Sequence, residues 1–404
     1  MPTLRSFASL VHDAVDHTVD LVDLGHEVSA RSALRLVDLL SPPLSPAARE
    51  VDSLRRGLTR GVLGSIKGVN RLVEEGLAPA YDAVSPPAEQ PAPPLPLRSD
   101  LVGQAAWLLD AAQGAANGVA GDHLHARGNR LDLGLRLRSA TDWIELDGIG
   151  IPEEASAKVV VFVHGLATTE WSWCLDAARH HGDPGAHFGS LLQAELGFTP
   201  IFVRYNTGRR ILDNGAALAK ALDALVLRWP VPIEQLVLIG HSMGGLVLRG
   251  ALVAGAAQSW VGRVSHLFTL GSPHKGAPLE RVGQGAVAAL EAVELPAPAI
   301  IAALLRGRSA GIQDLGLGRI HEEETPPPFP AQLDWHFVSA GVATAADHPW
   351  SLVLGDLLVP IDSAAGPEER PLRSTAHFVG GLHHGEVQIH PAVYAVIRTA
   401  LSAS

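Results

Sequence analysis

From about residue 140 onward, short apolar runs alternate with segments of helical length, and this alternation restricts the fold more than any other feature of the chain. The runs fall at 159–163, 201–205, 236–239, 266–270 and 335–340, and the intervening stretches include 214–229 and 245–256, each long enough for a crossover helix. A strand that is apolar along its length must be covered on both faces. That condition is met by a mostly parallel sheet with helices on either side. The expected class is therefore α/β, with functional groups gathered at the carboxyl ends of the strands.

The first part of the 404-residue chain reads differently. Leu4, Phe7, Val11, Val15, Val19 and Val22 recur at helical spacing while Asp13, Asp16, Asp20 and Asp23 share another face, so 1–82 is expected to be helical. Six prolines between 86 and 96 predict an extended linker over 83–98. A helical connector is expected over 99–130, built on a helix at 101–119, and then the α/β domain over 131–404, starting with a strand near 131–137. The four aspartates interrupt what would otherwise be a signal-peptide core, and no run of about 18 apolar residues exists to span a bilayer. A cytoplasmic location is the expectation. A net charge of −11 argues against nucleic acid as a partner, and the single cysteine, Cys174, excludes an internal disulfide or a paired-cysteine metal site.

One motif carries chemistry. Gly240-His241-Ser242-Met243-Gly244 follows the apolar run at 236–239 and precedes a helical stretch at 246–253. A strand that turns abruptly into a helix forces its corner residue into a strained conformation, and small neighbours are needed where the two chains pass. The Ser242 hydroxyl would then stand at the sheet edge beside the positive end of a helix. The run at 159–163 ends in His164-Gly165-Leu166. An anion developing on an attacked carbonyl needs two preorganised N–H donors, and the backbones of Leu166 and Met243 are placed to supply them. His164 is expected to shape its loop.

The motifs Phe162-Val163-His164-Gly165-Leu166, Gly240-His241-Ser242-Met243-Gly244-Gly245 and Gly271-Ser272-Pro273-His274-Lys275-Gly276 resemble the α/β-hydrolase superfamily on its lipase and esterase side. More narrowly, Tyr205-Asn206-Thr207-Gly208-Arg209 and Gly355-Asp356-Leu357-Leu358-Val359-Pro360 resemble bacterial serine hydrolases related to GPI-inositol deacylases. The resemblance covers about 155–402. It implies a Ser–Asp–His triad in that chain order. Asp356 matches the family's acid loop, although Leu357 stands where the family commonly has glycine, and Asp362 and Asp347 remain rivals. The family places its base six residues before a His-Pro pair; counting back from His390-Pro391 gives His384, with His383 as the alternative.

His241, Trp171, Asn206 and His383 are candidates for lining a substrate pocket, with a structural role for Asn206 equally open. The segment at 279–330 is expected to form a helical cap, because its apolar faces (Val282, Ala286, Leu290 and Val293, then Ile300, Ile301, Leu304 and Leu305) would suit acyl chains. Packing of the same faces on the sheet is the alternative. His180, His181, Asp183 and His187 are metal-ligand types, but zinc needs three or four of them converging; neither a metal nor a cofactor is expected. The resemblance thus implies a serine hydrolase acting on a small-molecule ester. An acyltransferase, an amidase or thioesterase with the same triad, and a hydrolase-shaped binding protein are the competing readings. Sequence says nothing of oligomeric state.

Overall fold

The computed structural model describes residues 95, 101–126, 131–145, 150–277, 309–318, 320, 330, 332–367 and 371–403. The helical region at 1–82, the linker except Leu95, and most of the cap at 279–330 lie outside these. Leu95 is buried and donates its N–H to Ala140 O at 2.8 Å.

The described chain begins with α1 (Leu101–Ala126), which runs further than the 101–119 expected. Then come β1 (Leu135–Arg138), β2 (Trp143–Ile144), β3 (Lys158–Val163), α2 (Ala177–His181), α3 (Phe188–Leu196), β4 (Thr199–Tyr205) and α4 (Ile211–Arg228). They are followed by β5 (Gln235–His241), α5 (Met243–Ala254), β6 (Val264–Leu270), α6 (Ala310–Leu317) and β7 (Asp334–Gly341). The last are α7 (Pro349–Leu354), α8 (Ile361–Ala364), β8 (Ser374–Gly380) and α9 (Pro391–Ser402). These strands form one eight-stranded sheet in the order β2-β1-β4-β3-β5-β6-β7-β8. The β1–β2 and β1–β4 pairs are antiparallel and the rest are parallel.

The reason for the apolar runs is visible in β3. Val159, Val161 and Val163 face one side and pack with Leu218 and Leu222 of α4 and Leu246 and Val247 of α5. Val160 and Phe162 face the other and pack with Phe188 and Leu192 of α3 and Val393 and Ile397 of α9. Alternate side chains of a strand point to opposite faces, so a strand covered on both, like β3, is apolar on both. Strand β8 escapes the sequence pattern because it is an edge, its residues mostly half-buried or exposed. No helix among the described residues is long and apolar enough to cross a membrane.

Candidate active site

At the centre of the sheet, β5 ends at His241 and α5 starts at Met243, so Ser242 alone makes the turn. Its backbone sits at φ 53° and ψ −123°, a conformation that side-chain-bearing residues rarely adopt. Its N–H is tied to Leu270 O on β6 at 2.8 Å. The motif's glycines have a steric cause. A β-carbon on Gly240 would stand 2.5 Å from Gly245 N, and one on Gly244 2.6 Å from His164 O. Bare backbone at both positions lets α5 begin directly against β5 and the end of β3.

Two loops that follow β7 and β8 meet beside this turn. Asp356 is fully buried, and its Oδ1 accepts the N–H groups of Leu358 (3.0 Å) and Val359 (2.8 Å). Its Oδ2 lies 2.7 Å from His384 Nδ1, which donates to it, and the His384 N–H is bonded to Asp356 O at 2.9 Å. Side chain and backbone thus lock the two loops together. Gly271, at φ 58°, forms the floor: a β-carbon there would be 3.2 Å from both Asp356 Oδ2 and His384 Cε1. With Nδ1 engaged, Nε2 is the ring atom of His384 left for proton transfer. The rival carboxylates stand elsewhere. Asp362 is 83% exposed and pairs with Lys275, and Asp347 is exposed.

The loop after β3 passes against the turn. A β-carbon on Gly165 would lie 3.1 Å from Ser242 Cβ. Next come Leu166 and then Ala167, whose φ of 60° is again in the left-handed region. Among the described residues neither the Leu166 nor the Met243 N–H has an acceptor. His164 does shape this loop: Nδ1 donates to Gly165 O at 2.9 Å, the ring stacks on Tyr205 at 4.5 Å, and the Tyr205 hydroxyl donates to His164 O at 2.8 Å. Burial pushes the His164 imidazole down to about 4, so it stays neutral.

Beyond this loop lies a charge network that no sequence signal announced. The buried carboxylate of Glu170 accepts from Arg138 (3.1 Å) and, with both oxygens, from Arg204 (2.8 Å each). Arg204 also reaches Asp110 Oδ1 on α1 at 2.6 Å, and Thr169 Oγ1 donates to Asp110 Oδ2 at 2.5 Å. The guanidinium groups of Arg138 and Arg204 lie over the Trp143 ring. Burial raises Asp110 above the usual carboxylate range despite Arg204, whereas the two arginines hold Glu170 below it.

The four pocket candidates fare differently. His241 is buried, with Nε2 3.1 Å from His384 O and its ring 4.8 Å from that of His384; burial, then His384, keep it uncharged. That contact ties the end of β5 to the His384 loop. His383 is half exposed and faces Glu386 at 3.5 Å. Trp171 is buried in the core on the α3 and α9 side of the sheet. Asn206 is fully buried with its amide satisfied: Nδ2 donates to Gly121 O (2.8 Å) and Asp132 Oδ1 (2.7 Å), and Oδ1 accepts from Gly208 N–H (3.0 Å). These bonds tie the end of β4 to α1 and to the 132 loop. His187, from the metal-type cluster, instead caps α3 by accepting the Ser190 N–H at 3.0 Å. Among the described residues no group of three or more such side chains could hold a metal ion.

Solved structures similar to this chain include the mature Bacillus licheniformis lipase BlEst2, at 20% identity over 62% of this chain and 96% of that one, with a TM-score of 0.42. A Clostridium acetobutylicum lipase-esterase related protein is 14% identical over 62% and 96%, with a TM-score of 0.36. The thioesterase domain NocB of a nocardicin cluster is 16% identical over the same shares, with a TM-score of 0.35. These are loose similarities, and the fold stands on the sheet order and the turn at Ser242. No curated protein matches the chain. The family described as a PGAP1-like alpha/beta domain matches residues 204–292, from the end of β4 through the Ser242 turn and past β6. The strand order, the turn at Ser242 and the matched stretch agree on one scaffold, the α/β-hydrolase fold.

Proposed function

We propose that the protein is a serine hydrolase that cleaves carboxylic esters through an acyl-enzyme. The observation that carries this reading is the hydrogen-bonded Asp356–His384 pair beside a serine held at positive φ. Ser242 Oγ attacks the ester carbonyl carbon as His384 Nε2 takes its proton. The N–H groups of Leu166 and Met243 stabilise the anion on the former carbonyl oxygen. Collapse breaks the bond to the alkoxy oxygen, which leaves as the alcohol with the proton from His384. Water then attacks the acyl carbon, gives its proton to His384, and Ser242 recovers one as the acid departs. Asp356 holds the ring with Nδ1 protonated and stabilises the imidazolium at each step. Apolar acyl groups are the expected substrates from the apolar sequence at 282–305, which lies outside the described residues.

A panel of aryl esters of increasing acyl length, run on wild type and Ser242→Ala, tests the reading. Hydrolysis by wild type, loss of at least about 1000-fold in the variant, and labelling of Ser242 by a serine-reactive phosphonate are expected. Hydrolysis that survives Ser242→Ala in pure protein, or a phosphonate that leaves Ser242 unlabelled, refutes it.

A further inference from the structure

Helix α1 precedes the sheet and supplies no group to the proposed chemistry, yet it lies almost backbone to backbone against the loop that carries Leu166. A β-carbon on Gly114 would stand 3.0 Å from Thr169 Cγ2 and 3.2 Å from Thr168 C. One on Gly118 would stand 2.7 Å from Ala167 Cβ and 2.9 Å from its Cα, and one on Gly121 would run into Asn206. Spacings of four and three put these glycines on one face of the helix. Polar bonds fasten the same face. Asp110 takes the Thr169 hydroxyl and Arg204, and Asn117 Oδ1 accepts the Leu133 N–H at 3.0 Å. The helix is itself held at its far end: Ser309 Oγ donates to Gly118 O, and Asp122 Oδ2 accepts the Ala310 N–H, each at 2.9 Å.

What the helix presses on needs holding. Ala167 is at φ 60°, directly after Leu166, and its N–H is tied to Thr207 Oγ1 at 3.1 Å. A non-glycine residue in that region is strained and relaxes unless its surroundings prevent it. The charge balance points the same way. Arg138 and Arg204 bring two positive charges to one Glu170, and Asp110 supplies the second carboxylate. The two proposed oxyanion donors are thus secured differently. The Met243 N–H is fixed by α5, whereas the Leu166 N–H sits on a strained loop that α1 contacts at Ala167, Thr168 and Thr169.

We propose that α1 is a positioning brace for the oxyanion loop, with Gly118 and Asp110 holding residues 166–170 so that the Leu166 N–H stays aimed at the anion formed on Ser242. The proposal rests on the reading of Leu166 as a donor. Deleting one such donor lowers kcat by about 100- to 1000-fold, so displacing it should cost at least about 10-fold.

The test uses the full chain with 4-nitrophenyl butyrate and its thionoester counterpart, whose sulfur profits little from N–H donors. In Gly118→Ala and Thr169→Val, ester kcat is expected to fall at least about 10-fold with KM within about 3-fold. Thionoester turnover should fall much less, so the ester-to-thionoester ratio shrinks, while the pH midpoint of kcat stays put because His384 and Asp356 are untouched. Thr169→Ser, which keeps the hydroxyl on Asp110, should restore wild-type behaviour. If Gly118→Ala does not fold, Thr169→Val decides. An unchanged kcat, or ester and thionoester rates that fall together at a constant ratio, overturns the brace while leaving the hydrolase reading intact. A wild type that turns over neither substrate overturns the hydrolase reading, and the brace with it.

Discussion

Replacing Asp356 by asparagine separates what the carboxylate does for chemistry from what it does for the fold. The side chain has three partners: the Leu358 and Val359 N–H groups on Oδ1 and the His384 Nδ1 on Oδ2. Asparagine is nearly isosteric, and its amide oxygen can keep both backbone bonds. Its NH₂ then faces His384 Nδ1 at the former 2.7 Å contact, and two donors cannot share that space. The ring resolves the conflict by moving its proton to Nε2, the atom that must accept the Ser242 proton. A wrong tautomer of this kind costs about 10⁴ in kcat, equivalent to about 5.5 kcal/mol of barrier. Asp356→Ala removes the acceptor altogether and leaves the buried Val359 N–H and the partly buried Leu358 N–H unpaired, at up to about 1–3 kcal/mol each. Both variants should therefore lose aryl-ester turnover alike, while urea unfolding places the alanine variant up to about 2–6 kcal/mol below the asparagine one. Asp362→Asn and Asp347→Asn, on exposed carboxylates, should leave kcat unchanged. An asparagine variant that keeps more than about a tenth of wild-type kcat would refute the tautomer argument.

Gly244→Ala would drive a methyl into backbone atoms, His164 O among them, which cannot yield by changing rotamer. A loss of about 1–3 kcal/mol in thermal or denaturant unfolding is expected, together with loss of phosphonate labelling, and an unchanged Tm would contradict the packing described. Acid should also weaken the fold. Burial holds His164 and His187 at about 4, so the unfolded chain binds protons there more readily, and stability present above pH 6.5 is lost as pH falls toward 4. Each ring contributes about 2 kcal/mol of that loss by pH 5. His187→Asn keeps an acceptor for the Ser190 N–H without a titrating group, so its unfolding free energy should fall less steeply between pH 6.5 and 5; identical slopes would count against the assignment.

Strands β3, β5, β6 and β7 are legible in the sequence because burial on two faces leaves a mostly apolar run, and the turn at Ser242 is legible because only glycine fits at 240 and 244. Asp356 and His384 are another matter. Nothing local distinguishes Asp356 from Asp362, or His384 from His383; the resemblance to a family selected between them, and the structure adds the physical difference, which is burial and a shared hydrogen bond. Asn206 illustrates the limit from the other side. A polar residue at a strand end suits a pocket wall or a structural bond equally, and its partners on α1 and the 132 loop are far away in sequence. The Asp110–Glu170–Arg138–Arg204 network is illegible for a stronger reason. Charged residues are almost never fully buried, so any reading of Arg138 and Glu170 from sequence puts them in water, and both are at 0% exposure.

Backbone strain locates the same place without reference to any motif. Four non-glycine residues sit at positive φ among those described: Ala167, Asp176, Ser242 and Leu357. Three of the four adjoin or constitute the proposed machinery, since Ala167 follows Leu166, Leu357 follows Asp356, and Ser242 is the proposed nucleophile. Leu357 sits at φ 82°, where a side chain costs about 1–2 kcal/mol that glycine does not. Strained residues persist only where neighbouring structure over-determines them. Each of the three has such a hold: Ser242 through Leu270 O, Leu357 through its N–H on Leu354 O and the bonds of Asp356 to the next two residues, and Ala167 through Thr207 and α1. The first two holds come from within the sheet and its loops, as the scaffold alone dictates. The third is supplied in part from outside the sheet, which is why the first 130 residues, silent as to chemistry when read as sequence, bear on it through α1.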